Sequence, residues 1–490
     1  MMNTSFLLAL ILLYFIVLLV VAFFTSKNAS NDSFFIGNKN SHWGLVAFGM
    51  IGTSLSGMTF ISVPGTVGVS GFNYFQVVIG YFIGYIIVAY VLLPLYYKLN
   101  VTSIYSYLAT RLGIVPYKTG AAFFMLSRTL GATLRLYLVI KILQVFILNN
   151  LGISFELTTF IIIAMILAYT FKGGVKTIVW TDTLQTSFML LSLIISVFYL
   201  KSNLHISFSE LWSSLKQNKI DTVFYTDYHD TKFFLKQIIG GIFVTITMTG
   251  LDQEMMQKNI SVKTLKDAQK NMLSFSVILV FVNFLFLLLG ALLFLYAQHN
   301  SIQVKPDELF PTIALSNVFP SFVGILFIIG LISALFPSAD GAITALTSSF
   351  CLDILNLKNN PAIRPEKQEQ TRRIVHLSFA GIFLLLVFFF RTIDNGSLID
   401  MLLKIASYTY GPLLGIFGFG ILTNRSVKAW LVPIVSVVSP FFCYLLQSQW
   451  AAYFGDYKFG LELLIINGGI VFFTMLLFSN KQVSVIDGRA

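Results

Sequence analysis

Long apolar runs constrain this chain more than any other feature of its sequence. They recur along all 490 residues and are roughly 18 to 25 residues long, enough for a helix to cross about 30 Å of hydrocarbon. Only 11% of the residues are charged, whereas soluble chains carry roughly 25%. We therefore predict an all-α polytopic membrane protein, with residues 1–490 forming one transmembrane domain.

Window length predicts about thirteen transmembrane helices. They cover residues 5–24, 43–64, 74–97, 119–148, 155–171, 178–200, 233–257, 272–296, 322–355, 374–390, 398–422, 429–446 and 461–478. We expect no soluble domain between or after them, because the longest loop, 201–232, is too short to bury a core of its own.

The basic residues predict how the bundle lies in the membrane. The net charge is +11, but no basic patch with interleaved aromatics lies outside the spans, so we expect no nucleic-acid partner. With the N-terminus outside, 20 of the 32 Lys and Arg residues fall in inside segments and 7 in outside loops. This asymmetry predicts an outside N-terminus and a cytoplasmic C-terminus in a plasma membrane, specifically a bacterial inner membrane.

Two spans contain similar Gly- and Thr-rich interruptions. The second span contains GTSLSG at 52–57, and the seventh contains TITMTG at 245–250. Consecutive five-helix units have opposite topology, so the matched placement favours two inverted repeats, 43–200 and 233–422, each with a broken helix. The alternative is that these small residues serve only close helix packing.

Two aspartates lie within spans, where charge is costly and usually functional. Asp340 follows Pro337 and Ser338 in the middle of a span, and Asp182 lies near the inner end of another. Carboxylates, hydroxyls and freed carbonyls are the ligands that a small hard cation prefers. Two such carboxylates would hold a cation or share a proton; the alternative is that each is only a satisfied hydrogen-bond acceptor.

Arg128 and Arg135 are seven residues apart and therefore share one helix face. A guanidinium binds a carboxylate in a bidentate manner, which suits a carboxylated substrate. The alternative is that one or both neutralise the buried aspartates.

At these residues the chain resembles the sodium:solute symporter family, which includes the sodium/glucose cotransporters and bacterial sialic acid transporters. The stretch GGVKTIVWTDTLQT at 173–186 is similar to the family signature. Further similar stretches are SLSGMTF at 54–60, DQEMMQK at 252–258, LTSSFCLD at 346–353 and YGPLLG at 410–415. The resemblance covers essentially the whole chain.

The resemblance implies a leucine-transporter-like fold, with two inverted five-helix repeats, one extra helix before them and two after. It implies Na+ as the coupling ion and no organic cofactor. The main sodium site would use the carbonyls of Gly52, Leu55 and Ala334 together with Ser338. Where the family has a serine pair this chain has Pro337-Ser338, so one hydroxyl is missing. A second sodium site would use Asp182 and Asp340.

The resemblance also implies a set of substrate-binding residues. Ser56, Thr59 and Tyr81 would face the solute, and Thr249 and Gln253 lie at the second interruption. The family's arginine on the third core helix is replaced here by Gly131, so Arg128 or Arg135 would bind a solute carboxylate instead.

The predicted function is sodium-coupled symport of a small organic solute (a sugar, a sialic acid or another carboxylated solute) by alternating access. We expect solute, sodium and membrane lipid as partners, and no obligate protein partner. A proton-coupled symporter using Asp182 and Asp340 is the main alternative. A sensor is disfavoured because only residues 479–490 follow the last span, and an enzyme is disfavoured because every histidine lies in a loop or at a span end. The histidines are His42, His205, His229, His299 and His376.

Overall fold

The computed structural model describes residues 4–26, 34–35, 39–316, 320–357, 364–394, 398–454 and 457–481. Nearly all of them are helical. The helices are α1 (Thr4–Thr25), α2 (Trp43–Ser54), α3 (Gly57–Ser70), α4 (Tyr74–Ile87), α5 (Ser106–Leu112), α6 (Ile114–Leu143), α7 (Phe155–Asn203), α8 (Phe208–Gln217), α9 (Phe234–Thr245), α10 (Gln253–Ile260), α11 (Leu265–His299), α12 (Pro306–Ala314), α13 (Ser321–Ser349), α14 (Pro365–Thr392), α15 (Leu398–Thr409), α16 (Gly411–Leu422), α17 (Leu431–Phe454) and α18 (Glu462–Leu477).

Short turns of other helix types extend several of these helices. Wider π turns follow α4 at Val88–Leu92, α6 at Gln144–Leu148, α9 at Ile246–Gly250 and α13 at Phe350–Ile354, and a further helical segment, Leu93–Lys98, completes the α4 span. Two strands, β1 (Arg425–Val427) and β2 (Ser479–Lys481), pair antiparallel. They join the ends of α16 and α18.

The described residues contain 8 helices that are long and apolar enough to cross a membrane. Three further helix pairs form interrupted spans: α2–α3 is bent by 57°, α9–α10 by 63° and α15–α16 by 43°. Phe155–Phe171 and Glu462–Leu477 are shorter apolar helices. The described residues are therefore predominantly helical with many apolar spans, as predicted, and the two short strands are an addition.

The α2–α3 interruption lies at the first Gly- and Ser-rich motif. Leu55 leaves the helical region at φ −90° and ψ 77°, and α3 begins at Gly57. Gly and Ser favour such a break because neither stabilises a helix interior. Gly57 also allows close packing, since a methyl group there would overlap the side chain of Val139 on α6.

A kink at Gly174 divides α7 into two spans. Its φ of 54° lies in the left-handed region, which glycine adopts without steric cost. A side chain at this position would also overlap the backbone of Phe34. Asp182 lies on the second of these two spans, Gly174–Asn203.

Helix α13 packs along α7 and against α2, α3 and α6. Every residue from Gly330 to Ser349 is buried, and the helix continues through Pro337. Ala334, Ser338 and Asp340 therefore lie in the centre of the molecule, next to the first interrupted span.

Candidate functional site

A polar cavity lies between α2, α3, α4, α6, α9 and α15. About 90 Å³ of its interior is open to water-sized molecules. Six of the seven predicted substrate residues line it together. They are Ser56, Thr59, Tyr81, Arg128, Arg135 and Thr249.

Gln253, the seventh residue, does not line this cavity. Its side-chain oxygen accepts a hydrogen bond from the Ile104 amide at 3.0 Å, and its nitrogen donates to the Thr102 carbonyl at 3.1 Å. Both groups belong to the turn before α5. The amide of Gln253 is thus occupied in joining α10 to that turn, so we do not include it among the proposed solute ligands.

Two tyrosines in the cavity were not predicted from the sequence. Tyr74 and Tyr85 lie on the same face of α4 as Tyr81 and line the cavity beside it. The Tyr85 and Ser54 hydroxyls are 3.3 Å apart. The spacing of seven and four residues along one apolar helix is the signal that could have identified them.

Arg128 is neutralised by carboxylates at the second interruption. Its Nη2 pairs closely with Glu254, and its Nη1 lies 3.7 Å from Asp252 Oδ2. Tyr410 donates a hydrogen bond of 3.0 Å to the same Asp252 oxygen. Arg128 is only 4% exposed, and its charge compensates Glu254 and Asp252. The sequence had suggested Asp182 and Asp340 as its partners.

Arg135, seven residues further along α6, differs from Arg128 in its partners. It lines the cavity beside Tyr81 and Thr59, and no ion pair joins it to any described residue. Its Nε has no hydrogen-bond partner. A cationic fork with unmet hydrogen-bond donors in a polar cavity suits a carboxylate ligand.

Asp182 and Asp340 have different partners. Asp182 Oδ2 accepts hydrogen bonds from Lys258 Nζ at 2.7 Å and from the Thr53 hydroxyl at 3.1 Å. Asp340 Oδ2 accepts one from the Tyr169 hydroxyl at 2.6 Å. No basic residue in the described ranges forms an ion pair with Asp340. The structure therefore places a lysine ammonium on one of the two carboxylates.

Three of the four residues expected at the main sodium site, Gly52, Leu55 and Ala334, lie at or beside the first interruption. Leu55 ends α2 in a non-helical conformation, and a methyl group on Gly57 would lie 3.9 Å from the Ala334 carbonyl carbon. Gly52 lies directly against Thr186 of α7. Ser338, one turn beyond Ala334, donates its hydroxyl proton to the Leu335 carbonyl at 2.9 Å, which leaves its oxygen lone pairs available.

Interrupted apolar spans around a central polar cavity define the class of secondary transporters, in which unwound backbone and helix ends bind solute and ion. The comparison with known families makes the identification specific. The sequence model that describes the sodium:solute symporter family matches residues 34–429. The chain therefore belongs to this family.

Two bacterial relatives are sialic acid symporters. The chain is 24% identical over 438 residues to the sodium/sialic acid symporter SiaT of Proteus mirabilis, covering 85% of each chain. It is 24% identical over 418 residues to the sodium/sialic acid symporter NanT of Aliivibrio fischeri, covering 82% of this chain and 80% of the relative. It is also 24% identical over 412 residues to the sodium-coupled monocarboxylate transporter 2 of Bos taurus, covering 81% of this chain and 64% of the relative.

Solved structures show the same fold. A substrate-bound, outward-open Na+-coupled sialic acid symporter superposes with a TM-score of 0.83 at 21% identity, covering 97% of this chain and 99% of the other. A nucleobase-cation-symport-1 family transporter in a closed conformation gives a TM-score of 0.54 at 12% identity, covering 92% of this chain and 94% of the other. The family match and the sodium-coupled relatives confirm the predicted family and sodium-coupled solute symport, and they support Na+ as the coupling ion.

Proposed function

We propose that this chain carries a small carboxylated solute together with sodium, and that Arg135 binds the solute carboxylate. The observation that carries the proposal is the difference between the two arginines of the cavity. Arg128 is already paired with Glu254 and Asp252, whereas Arg135 lines the same cavity without an ion pair in the part of the chain that the structure describes.

The rest of the cavity suits a solute that also carries hydroxyl or amide groups. Ser56, Thr59, Thr249 and the tyrosines of α4 present hydroxyls at its wall, and these groups can donate and accept hydrogen bonds. The relatives named as sialic acid and monocarboxylate carriers support a solute with a carboxylate. Between these two, the many hydroxyls favour the larger, polyhydroxylated sialic acid class.

For sodium, we propose a site formed by the carbonyls of Gly52, Leu55 and Ala334 and the Ser338 hydroxyl. A small hard cation is bound by oxygen ligands. The α2–α3 break releases carbonyls from helical hydrogen bonding, whereas the Ala334 carbonyl lies within the continuous helix α13 and would share its second lone pair with the ion. Sodium at this site would join the α2–α3 interruption to α13. Binding of the ion would thereby stabilise the wall of the solute cavity.

We further propose thirteen membrane crossings in two inverted repeats, with the N-terminus outside and the C-terminus cytoplasmic in a bacterial inner membrane. The eight long spans, three interrupted spans and two shorter apolar helices support this count. Three of the counted inside charges, Lys27, Lys358 and Arg489, lie outside the described residues.

An outer vestibule supports a path to the solute cavity. Its lining includes Lys232 and Lys305 from loops on the predicted outer side and Asp307 from the first turn of α12. It shares Tyr74, Ile399 and Leu403 with the central cavity. In the proposed cycle, solute enters through this vestibule and binds beside sodium. The outer side then closes, and both are released inward as the repeats move relative to each other.

Uptake into proteoliposomes containing the purified full-length chain tests the proposal. An inward sodium gradient should drive accumulation of radiolabelled N-acetylneuraminic acid, and an equal potassium gradient should not. Pyruvate and glucose serve as a small carboxylate and an uncharged sugar for comparison. Uptake of glucose with no competition from either carboxylate would overturn the carboxylate assignment, and uptake independent of sodium would overturn the coupling.

A further inference from the structure

Lys258 of α10 occupies a cage of oxygen atoms in the centre of the bundle. Its Nζ lies 2.6 Å from the Thr53 hydroxyl, 2.7 Å from Asp182 Oδ2 and 3.5 Å from Glu254 Oε1. These oxygens come from α2, α7 and α10, so residues distant in the sequence converge on one positive charge. Carboxylate and hydroxyl oxygens are also the ligands of small inorganic cations.

The cage is fully buried, which makes its charge balance energetically important. Lys258 is 2% exposed, and Asp182 and Glu254 are 0% exposed. An unpaired buried ion costs several kcal/mol, so each of these carboxylates needs a nearby positive charge. Asp182 Oδ1 has no hydrogen-bond partner, so the cage contains one more oxygen ligand than the ammonium uses.

Lys258 is the only basic residue that forms an ion pair with Asp182 among the described residues. Arg128 pairs with Glu254 and Asp252, leaving Lys258 as the group that compensates Asp182. Even with Lys258 present, the four buried carboxylates of Asp182, Asp252, Glu254 and Asp340 share two basic side chains. Without it, Asp182 would keep only the Thr53 hydroxyl, and the cage would attract another cation.

The cage also adjoins the proposed sodium site. Thr53 lies between Gly52 and Leu55 in the sequence, and it lines the solute cavity. On the other side, Glu254 packs directly against Gly341, which follows Asp340 on α13. The ammonium therefore contacts one wall of the sodium site and, through Glu254, approaches the other.

We propose that the Lys258 ammonium is a covalently attached substitute for a second coupling cation, and that it limits the transporter to one bound sodium. The proposal rests on the sodium coupling of the proposed function. In place of an ion that enters and leaves in every cycle, the positive charge between α2, α7 and α10 is permanent.

Equilibrium binding of radioactive sodium to the purified full-length chain, in mildly alkaline buffer, tests this inference. Lys258→Met removes the ammonium but keeps an unbranched apolar side chain. We expect the bound sodium to rise from one ion per wild-type chain to two in this variant. Lys263→Met, which removes a lysine at an exposed position nearby, should bind one ion.

A double variant distinguishes sodium binding in the cage from a general effect of losing one positive charge. In Lys258→Met/Asp182→Asn both members of the ion pair are neutral, so the sodium count should return to one. Two ions in the wild type, or one ion in Lys258→Met at unchanged affinity, would overturn the inference. No sodium binding by the wild type would overturn the proposed function instead, while a gain of one ion in Lys258→Met would still support the substitute charge.

Instability of Lys258→Met would also be informative, because the missing charge should then be supplied by the solution. The variant should be recovered in folded form when extracted in high sodium and lost in high potassium. Equal loss in both salts would show that the ammonium has only a structural role and would overturn the proposal.

Discussion

The two interrupted spans α2–α3 and α9–α10 bend by similar angles, 57° and 63°. They differ in the hydrogen-bond partners of the backbone groups at the break. At the second interruption the protein satisfies these groups itself. The Asp252 side chain accepts hydrogen bonds from the amides of Glu254 and Met255. The carbonyls of Gly250 and Leu251 accept hydrogen bonds of 2.8 Å from Tyr96 and Tyr105.

At the first interruption the Leu55 amide donates to the Ile51 carbonyl at 2.8 Å and the Ser56 carbonyl accepts from the Phe60 amide at 3.1 Å, but no side chain of the described residues caps the break. Ser56 precedes α3 but makes no side-chain capping hydrogen bond, and Leu55 ends α2 outside the helical region. Buried backbone groups normally find partners, so those at the first interruption are suited to an ion and a solute. The comparison teaches that a bend alone does not identify a binding site; the unmet hydrogen bonds around it do.

The arginines of α6 follow the same division. Arg128 neutralises the acids of the closed second interruption, and Arg135 lines the cavity beside the open first one. The free energy of unfolding should therefore depend mainly on Arg128, and solute transport mainly on Arg135.

The largest effect should come from Arg128→Met. Removing one partner of a buried ion pair costs about 3 to 5 kcal/mol, because Glu254 and Asp252 would remain charged without Arg128. The free energy of unfolding in detergent measures this loss. The double variant Arg128→Met/Glu254→Gln should recover part of it. Wild-type stability with abolished solute binding would instead assign Arg128 to the solute.

Arg135→Gln should weaken solute binding with little change in thermal stability. Loss of hydrogen bonds to a charged group costs about 1.5 to 3 kcal/mol, which corresponds to roughly a ten- to hundredfold lower affinity. Isothermal titration with the transported carboxylate measures it. Arg391→Gln, at an exposed pair with Glu156, provides the control, and equal effects of both substitutions would contradict the assignment.

Tyr105→Phe should destabilise the second interruption without changing the binding of solute or sodium. The Leu251 carbonyl would lose its hydrogen-bond donor, at a cost of about 1 to 2 kcal/mol in the free energy of unfolding. Solute and sodium affinities should remain those of the wild type. Tyr107→Phe is the matched control, since the Tyr107 hydroxyl makes no hydrogen bond within the described ranges. A changed sodium affinity in Tyr105→Phe would show that the second interruption also takes part in ion binding.

Ser338→Ala should give the smallest effect and act only on the ion. Removing one neutral ligand from the proposed sodium site costs about 1 kcal/mol, or roughly a fivefold lower sodium affinity. The sodium dependence of the melting temperature measures it. Ser348→Ala is the control, because Ser348 donates to a carbonyl of the same helix at 2.8 Å but lies further from the interruption. Identical sodium curves for the two variants would remove Ser338 from the site.

The spans and the interruptions could be predicted from the sequence because both are local signals. Apolar length identifies a membrane helix, and clusters of Gly, Ser and Thr weaken one. The shared face of Arg128 and Arg135 likewise follows from helical spacing. These features required no knowledge of how distant segments meet.

The pairing of charges could not be predicted in this way. The four-residue spacing of Glu254 and Lys258 permits an ion pair along one helix, and these groups lie 3.5 Å apart, but Asp182 is closer to Lys258 at 2.7 Å. Gln253 likewise contacts a turn about 150 positions earlier in the chain. Such contacts depend on the tertiary arrangement, which a single sequence without an alignment does not reveal.

A positive charge that is part of the polypeptide has a consequence for the energetics of accumulation. Under the proposed substitution of Lys258 for a mobile ion, one sodium and one singly charged carboxylate would cross together, and their charges would cancel. Each uncompensated charge would otherwise gain about 2.3 kcal/mol per 100 mV of membrane potential. Uptake by this transporter should therefore be electrically silent, so a depolarised cell would still concentrate the solute up to the ratio of outside to inside sodium.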